Sequence, residues 1–259
     1  MQTKYPIILV HGVIIKDFRF FKAFERIERV LRANDYLVYT AKIDGIGTSQ
    51  TNALELKEYI NKIIAETKCK KVNLISHSKG GLDSKYMIES LDMEDKVASL
   101  ITLSTPYKGS PIATTILKLP RPIIWCVKTW FNVAYKIFGD RYPNSLEVCK
   151  ELSLVDSINT ECLRLKNVYV ESYSTTLTKS RDDFIMGIPH AFCRYFYKEK
   201  ETDGLVSKES SKFINYKGDI TNTSLSHTDI VDFMVGKKKK EKIYEFYLDL
   251  CGNLSKMGF

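Results

Sequence analysis

Apolar runs and amphipathic segments alternate along the first part of the chain. Mostly apolar runs at residues 6–10, 36–40, 71–75 and 97–103 predict strands that are buried on both faces. Between these runs, residues 20–31, 54–64 and 80–91 place apolar side chains at helical spacing and predict helices. Alternating strands and helices of this kind are typical of a parallel sheet that is covered by helices on both faces. The pattern therefore predicts an α/β domain.

The regular alternation stops after residue 110. Residues 111–165 are helical in pattern but irregular, a strand is predicted to resume at residues 168–173, and a last helix at 242–254. No internal repeat or low-complexity linker divides the chain. We therefore predict a single α/β domain over residues 1–259, with a helical insertion at about residues 107–165.

The composition is that of an ordinary globular protein. The chain has 259 residues, 44% of them hydrophobic and 27% charged, which excludes a disordered or collagen-like protein. Its formal net charge is +8. That charge has two interpretations, namely a patch for nucleic acid or anionic lipid, and a solvated lysine-rich surface.

Cysteine usage and the absence of long apolar segments bear on location. Six cysteines occur, none of them in a C-x-x-C pair, so we expect free thiols in a reducing compartment and no zinc site. The longest apolar stretch near the start, residues 6–15, is shorter than the roughly 20 residues that a membrane span needs. No signal peptide is visible. These features together favour a cytoplasmic location.

The sequence S-H-S-K-G-G at residues 76–81 is the central candidate for chemistry. It follows a predicted buried strand and precedes a predicted helix, which is the context of a nucleophile elbow centred on Ser78. Small residues are needed two positions before and after the nucleophile, because the tight turn brings neighbouring backbone close. Ser76 and Gly80 are small enough. The alternative is a structural turn, since S-x-S-x-G also arises by chance.

A second candidate is the pair His11 and Gly12 at the end of the first predicted strand. Acyl transfer needs backbone N–H groups that point at the developing oxyanion. In a nucleophile elbow one donor is the residue after the nucleophile, here Lys79, and the other comes from an early loop, here Val13. The alternative is a simple turn that ends the strand. His11 itself is expected to pack beside the site.

The remaining catalytic partners are expected after the serine, with the acid before the base. His227 lies in a polar loop and is the candidate base, whereas His190 has apolar neighbours and is expected in the core. Asp203 lies in a turn ahead of His227 and is the favoured acid. Asp182 and Asp183 are alternatives, although their charged neighbours suggest a solvated loop.

Four segments of the chain resemble bacterial triacylglycerol lipases of the Proteus type, in the α/β-hydrolase superfamily. The segments are T-K-Y-P-I-I-L-V-H-G at residues 3–12, K-V-N-L-I-S-H-S at 71–78, D-G-L-V at 203–206 and H-T-D-I-V at 227–231. The resemblance implies the α/β-hydrolase fold and a helical lid within the insertion. It also implies a catalytic triad of Ser78, Asp203 and His227, an oxyanion hole at Val13 and Lys79, and a lipase or esterase acting on acylglycerols.

The resemblance further implies a structural calcium ion, for which Asp183 and Asp229 are the candidate ligands. Phe233 stands where the family carries a polar side chain, and a hard cation needs six to eight oxygen ligands, which argues against calcium. The resemblance also keeps secretion open as an alternative location. No other cofactor is expected.

The insertion suggests how the protein contacts its substrate. Trp125, Trp130 and Phe131 lie in a segment with the spacing of an amphipathic helix. Its polar residues recur at four-residue steps, at Lys128, Asn132 and Lys136. The segment is expected to be a lid that lines an acyl site or contacts lipid, and the alternative is a helix packed permanently on the core.

The charge of the insertion supports a lipid partner. Residues 106–145 carry six basic side chains and one acidic side chain, a net charge of +5, which suits an anionic lipid surface. We therefore expect a lipid or small ester substrate, transient contact with a lipid surface and no nucleic acid, and the oligomeric state stays open. Alternative functions are a phospholipase or acyltransferase with the same triad, and a non-catalytic lipid-binding protein with a hydrolase-like fold.

Overall fold

Parallel strands form one sheet in the computed structural model, which describes residues 2–13, 23–137, 139–153, 165, 167–233 and 235–259. In the order β2-β1-β3-β4-β5-β6 across the sheet, all neighbours run parallel. The strands are β1 (Ile7–Val10), β2 (Val38–Thr40), β3 (Val72–His77), β4 (Val97–Leu103), β5 (Tyr169–Ser174) and β6 (Tyr216–Asp219).

Helices connect these strands and cover both faces of the sheet. They are α1 (Glu25–Ala33), α2 (Ser49–Thr67), α3 (Lys79–Ser90), α4 (Pro111–Leu117), α5 (Arg121–Ile137), α6 (Ser145–Glu151), α7 (Gly187–Phe196), α8 (Lys208–Ser211) and α9 (Lys237–Lys256). Helices α4, α5 and α6 lie in the connection between β4 and β5, where the helical insertion is predicted.

The sheet separates two layers of the core, and strand β1 contributes side chains to both. Ile7 and Leu9 point to one face of the sheet and pack in a cluster with residues of α1 and α9. Ile8 and Val10 point to the other face and pack with residues of α2 and α3. Side chains of a strand alternate between the two faces, so a continuous apolar run serves both layers. The predicted parallel sheet with helices on both faces is confirmed.

Several boundaries differ from the predicted ones. The strand predicted at residues 36–40 begins at Val38, and β3 continues to His77. Helix α1 begins at Glu25, and residues 20–22 of the predicted helix lie outside the described residues. The lysine-rich residues 237–242 lie inside α9, which begins five residues earlier than predicted. Strand β6 and helices α7 and α8 were not predicted, because the sheet-edge strand Y-K-G-D and the short helices carry no clear apolar period.

The topology brings loops together at one edge of the sheet. Strands β1 and β3 are hydrogen-bonded neighbours, so the loops that follow Val10 and His77 lie side by side. In open parallel sheets, ligands bind outside the carboxyl ends of the strands. Among the described residues, no helix is long and apolar enough to cross a membrane. The cysteines in that part of the chain are free thiols (Cys69, Cys126, Cys149, Cys193 and Cys251), and Cys162 lies outside it.

Candidate active site

Ser78 lies on a strained turn between β3 and α3. Its backbone φ of 54° and ψ of −132° are unfavourable for a residue with a side chain, and its N–H donates to the carbonyl oxygen of Leu103 at 2.9 Å. Gly80 fits against the end of β1, since a Cβ there would lie 2.5 Å from the carbonyl oxygen of His11. Close packing on both sides therefore holds the turn, as a nucleophile elbow requires.

Ser78, His227 and Asp203 form one hydrogen-bonded line. The Nε2 atom of His227 lies 2.8 Å from the hydroxyl oxygen of Ser78, and its Nδ1 atom lies 2.7 Å from Oδ2 of Asp203. All three side chains are nearly or fully buried. A proton on Nδ1, donated to the Asp203 carboxylate, leaves Nε2 free to accept the proton of the serine hydroxyl.

The Asp203 carboxylate is fixed by its own turn. Its Oδ1 atom accepts hydrogen bonds from the backbone N–H groups of Leu205 at 3.0 Å and Val206 at 2.8 Å. The hydroxyl of Thr175 donates to Oδ2 at 3.3 Å. In addition, the N–H of His227 donates to the carbonyl oxygen of Asp203 at 3.0 Å, so the loops that carry the two residues are joined directly. These bonds orient the carboxylate toward the imidazole.

The loop after β1 lies directly against the nucleophile. A Cβ at Gly12 would lie 2.6 Å from Cβ of Ser78 and 3.0 Å from the backbone nitrogen of Lys79. The next residue, Val13, lines the cavity beside Ser78. The two predicted oxyanion-hole residues are therefore near each other, because Gly12 contacts Lys79 and is followed directly by Val13.

The side chain of Lys79 is fully buried beneath the turn. Its ammonium lies 2.5 Å from Oδ1 of Asp83, one helical turn further along α3. The Asn52 amide donates to Oδ2 of Asp83 at 2.9 Å and to the carbonyl oxygen of Asp44 at 2.9 Å. Burial raises the pKa of Asp83, and the Lys79 charge opposes that rise. The ion pair therefore anchors the residue that follows the nucleophile.

His77 is a site residue that no sequence pattern singled out. Its ring lies 4.6 Å from the ring of His227, centroid to centroid, and it lines the same cavity. Burial lowers its pKa well below the ordinary value, and the neighbouring His227 and His11 lower it further. Its position directly before Ser78 was the only available signal, because nothing in the sequence shows that two imidazoles 150 positions apart lie next to each other.

An apolar cavity of about 370 Å³ opens beside Ser78 and His227. Helices α4 and α5 supply much of its lining, through Ile112, Ala113, Ile116, Ile124, Val127 and Phe131. Apolar walls next to a nucleophile suit a hydrocarbon chain, because burial of each methylene group contributes about 0.8 kcal/mol. The cavity can therefore hold the acyl part of an ester.

Helix α5 carries apolar side chains on more than one face. Phe131 lines the cavity, together with Lys128, Ile124 and Val127. Trp125 and Trp130 do not line it and are 66% and 68% exposed. Of the predicted polar stripe, Asn132 accepts a hydrogen bond from the backbone N–H of Ser145 at 2.9 Å, so the stripe is partly used to hold α6.

The candidate calcium ligands lie near His227 with a lysine between their loops. The Lys239 ammonium lies 2.8 Å from Oδ2 of Asp229, and the Ser226 hydroxyl donates to Oδ2 of Asp183 at 2.6 Å. Asp183 also accepts hydrogen bonds from two backbone N–H groups of its own turn. Asp183 is half-buried in a loop whose neighbouring residues are exposed, and those donors orient its carboxylate.

Asp182 and His190 lie outside the hydrogen-bonded line. Asp182 is exposed and bonds to Ser224 and to the backbone N–H of Lys179. His190 is fully buried, as expected of a core residue, and its Nδ1 atom lies 2.8 Å from the hydroxyl oxygen of Ser180.

Sequence comparisons relate the chain to lipases. A family model described as a PGAP1-like alpha/beta domain matches residues 17–134, which include Ser78 and end before Asp203 and His227. Triacylglycerol lipase 2 of Saccharomyces cerevisiae is 26% identical over 90% of this chain and 73% of its own length. A triacylglycerol lipase of Pseudarthrobacter phenanthrenivorans is 35% identical over 43% of this chain, and the match spans only 36% of that lipase.

Solved structures share the fold along nearly the whole chain. A lipase of Bacillus licheniformis in its mature form superposes with a TM-score of 0.69 at 18% identity, over 96% of this chain and 92% of that one. A metagenomic carboxyl esterase gives a TM-score of 0.70 at 15% identity, over 99% and 77% of the two chains. The chain is therefore similar in sequence to triacylglycerol lipases and shares the α/β-hydrolase fold of solved lipases and esterases.

Proposed function

We propose that the protein hydrolyses acylglycerols or related lipid esters through Ser78, His227 and Asp203. The observation that carries this proposal is the hydrogen-bonded line from Asp203 through His227 to Ser78, which ends at the apolar cavity. The names of the similar lipases support the same substrate class.

The first half of the reaction forms an acyl-enzyme. Nε2 of His227 takes the proton of the Ser78 hydroxyl as its oxygen attacks the ester carbonyl carbon. The carbonyl electron pair moves to the oxygen, and the N–H groups of Val13 and Lys79 stabilise this oxyanion. The carbon–oxygen bond to the alcohol then breaks, and His227 returns its proton to the departing alcohol. Asp203 orients the imidazole and stabilises its cation throughout.

The second half releases the acid. Water gives a proton to His227 while its oxygen attacks the acyl carbon, and a second tetrahedral oxyanion forms in the same hole. Collapse of that intermediate breaks the bond to Ser78, which regains its proton from His227. The products are one alcohol and one carboxylic acid, and the enzyme is restored.

Covalent labelling tests this assignment. A fluorophosphonate probe should modify the intact protein at Ser78, and peptide mapping by mass spectrometry should locate the adduct there. Ser78→Ala should abolish labelling and lower the hydrolysis of p-nitrophenyl butyrate by at least about a thousandfold. Ser76→Ala is the matched control, because its hydroxyl bonds to Ser84 in the core and not to His227. An adduct at another residue, or an active Ser78→Ala variant, would contradict the proposal.

The same proposal includes contact with a lipid surface through α5. Exposed Trp125 and Trp130, together with exposed Val133 and Ile137, give this helix an apolar outer surface. The helix carries three basic residues and no acidic residue, which favours anionic lipid. Aromatic and basic residues on one helix are typical of elements that lie in a bilayer interface.

Vesicle binding tests this contact. Wild-type protein should sediment with vesicles of phosphatidylcholine and phosphatidylglycerol more than with phosphatidylcholine alone. Replacing both Trp125 and Trp130 by serine should weaken binding to both, while hydrolysis of a soluble ester is retained. Equal binding of wild type and the double variant would show that α5 is not the lipid contact.

Esters of rising chain length, from acetyl to octanoyl, test the acyl cavity independently. An equal rate of hydrolysis for all of them would argue against an acyl-binding cavity.

A further inference from the structure

Lys239 joins three segments that surround the candidate base. It lies in the first turn of α9, and its ammonium lies 2.8 Å from Oδ2 of Asp229, two residues beyond His227. It also lies 3.4 Å from the carbonyl oxygen of Asp182, in the turn that precedes α7. The exposed fractions of the two side chains are 22% for Lys239 and 4% for Asp229, so the ion pair is largely shielded from water.

Ser226 completes the connection on the other side of His227. Its backbone N–H donates to Oδ2 of Asp229 at 2.9 Å, and its hydroxyl donates to Oδ2 of Asp183 at 2.6 Å. The short loop that carries His227 is thus held at the residue before the base and at the second residue after it. Both attachments lead to the carboxylates of Asp183 and Asp229.

These residues do not fit the calcium ion that the family resemblance implies. Both oxygens of Asp183 already accept hydrogen bonds, from Ile185 and Met186 on one oxygen and from Ser226 on the other. The Lys239 ammonium lies against Asp229, and a positive charge there repels a divalent cation. Calcium needs six to eight oxygen ligands, and no cluster of three or more metal-ligating side chains occurs in the described part of the chain.

We propose that Lys239 supplies a built-in cation that holds the His227 loop, so the hydrolase works without a divalent metal ion. The inference rests on the proposed function, because it concerns the position of the proposed base. Lys239 touches neither the substrate nor Ser78, and it is a positioning residue. Its ammonium neutralises Asp229 and ties the loop to α9, which keeps Nε2 of His227 within reach of the Ser78 hydroxyl.

The first test measures metal dependence of the intact wild-type protein. After treatment with EDTA, hydrolysis of p-nitrophenyl butyrate and the thermal unfolding midpoint should both stay unchanged. Addition of CaCl₂ should change neither. Loss of activity or of thermal stability with EDTA, restored by calcium, would overturn the proposal, because the loop would then need a metal ion.

The second test removes the cation. Lys239→Ala should lower kcat by between about tenfold and about a hundredfold, since a displacement of about 1 Å at a catalytic group can cost that much. KM for a small soluble ester should stay unchanged, because Lys239 does not line the cavity beside Ser78. Lys239→Arg should keep most of the activity. Lys238→Ala, at the exposed neighbouring position, is the matched control and should behave as wild type.

Chemical rescue separates a charge effect from a general loss of structure. Propylammonium matches the part of the side chain that Lys239→Ala lacks, and it should restore part of kcat in this variant only. Unchanged kcat in Lys239→Ala would overturn the proposal, and so would an inactive Lys239→Arg that is folded by circular dichroism. If Lys239→Ala does not fold, the activity of Lys239→Arg and the effect of EDTA on the wild type still test the proposal. A wild type that neither hydrolyses esters nor labels at Ser78 would instead refute the proposed function.

Discussion

At the scale of single residues, small side chains allow backbones to meet at the nucleophile. Gly12 lies so close to Ser78 and Lys79 that a methyl group would overlap Cβ of Ser78. Gly80 makes the same kind of approach to the end of β1. The candidate oxyanion hole therefore depends on positions that have no side chain, and not only on the residues that donate hydrogen bonds.

Gly12→Ala tests this dependence. The added methyl group would lie 2.6 Å from Cβ of Ser78, so the loop must move and the alignment of the proposed Val13 donor is lost. We expect kcat/KM for a soluble ester to fall by about a hundredfold to a thousandfold, the usual cost of one oxyanion donor. Gly236→Ala is the control, because a methyl group there meets nothing within 4 Å and the φ of −69° is ordinary. Equal activity of the two variants would contradict the assignment.

At the scale of elements, buried polar contacts tie α2, α3 and the insertion to the site. Asn52 of α2 joins the Lys79–Asp83 pair of α3, and Ser49 at the start of α2 bonds to Glu151 at the end of α6. After α5, the Asp140 carboxylate accepts hydrogen bonds from Gly45 and Ile46. The insertion is thereby anchored behind α5, while Trp125 and Trp130 of α5 stay exposed.

Asp83→Asn should destabilise the fold strongly. The change leaves the Lys79 ammonium buried without its counter-charge, and loss of one partner of a buried pair costs about 3–5 kcal/mol. Unfolding in urea, followed by circular dichroism, gives the free energy of unfolding. The exposed pair Lys62–Glu66 on α2 supplies the control, since Glu66→Gln should change that free energy by less than about 1 kcal/mol. A similar decrease in the free energy of unfolding in both variants would show that the buried pair contributes no more to stability than the exposed pair.

At the scale of the whole molecule, buried neutral histidines link stability to pH. Burial lowers the pKa of both His77 and His190 below the ordinary value. In the unfolded chain these rings bind protons below about pH 6.5, whereas in the folded protein they stay neutral to lower pH. The unfolded state therefore binds more protons below about pH 6.5, and the free energy of unfolding falls as the pH falls through that window.

His77→Gln should reduce this acid sensitivity. Because a shift of one pKa unit corresponds to about 1.4 kcal/mol, the variant should lose less stability than wild type between about pH 6.5 and pH 5. Urea unfolding at several pH values measures the difference. His190→Gln should likewise lose less stability than wild type as the pH falls, since burial lowers the pKa of both rings. Identical pH slopes in wild type and both variants would refute the explanation.

Local patterns in the sequence were sufficient for much of the fold and for the choice of candidate residues. Strand β1 is a continuous apolar run, and β4 is mostly apolar with small polar residues at Ser99 and Thr102, so the pattern alone predicts burial on both faces. The order of Ser78, Asp203 and His227 follows from the strand-to-turn context and from the polarity of each loop. The cytoplasmic location and the lid stay predictions.

Only the tertiary structure decided which distant side chains meet. Ser78 and His227 are separated by 149 positions and lie 2.8 Å apart, and no local pattern encodes that distance. The same holds for the His77 ring beside His227, for the edge strand β6 and for the Lys239 ammonium beside Asp229. Hydrophobic periodicity records whether a residue is buried, whereas the identity of its partner depends on how the whole chain packs. The sequence alone thus determined an α/β domain with candidate chemistry, and packing decided how that chemistry is assembled and held.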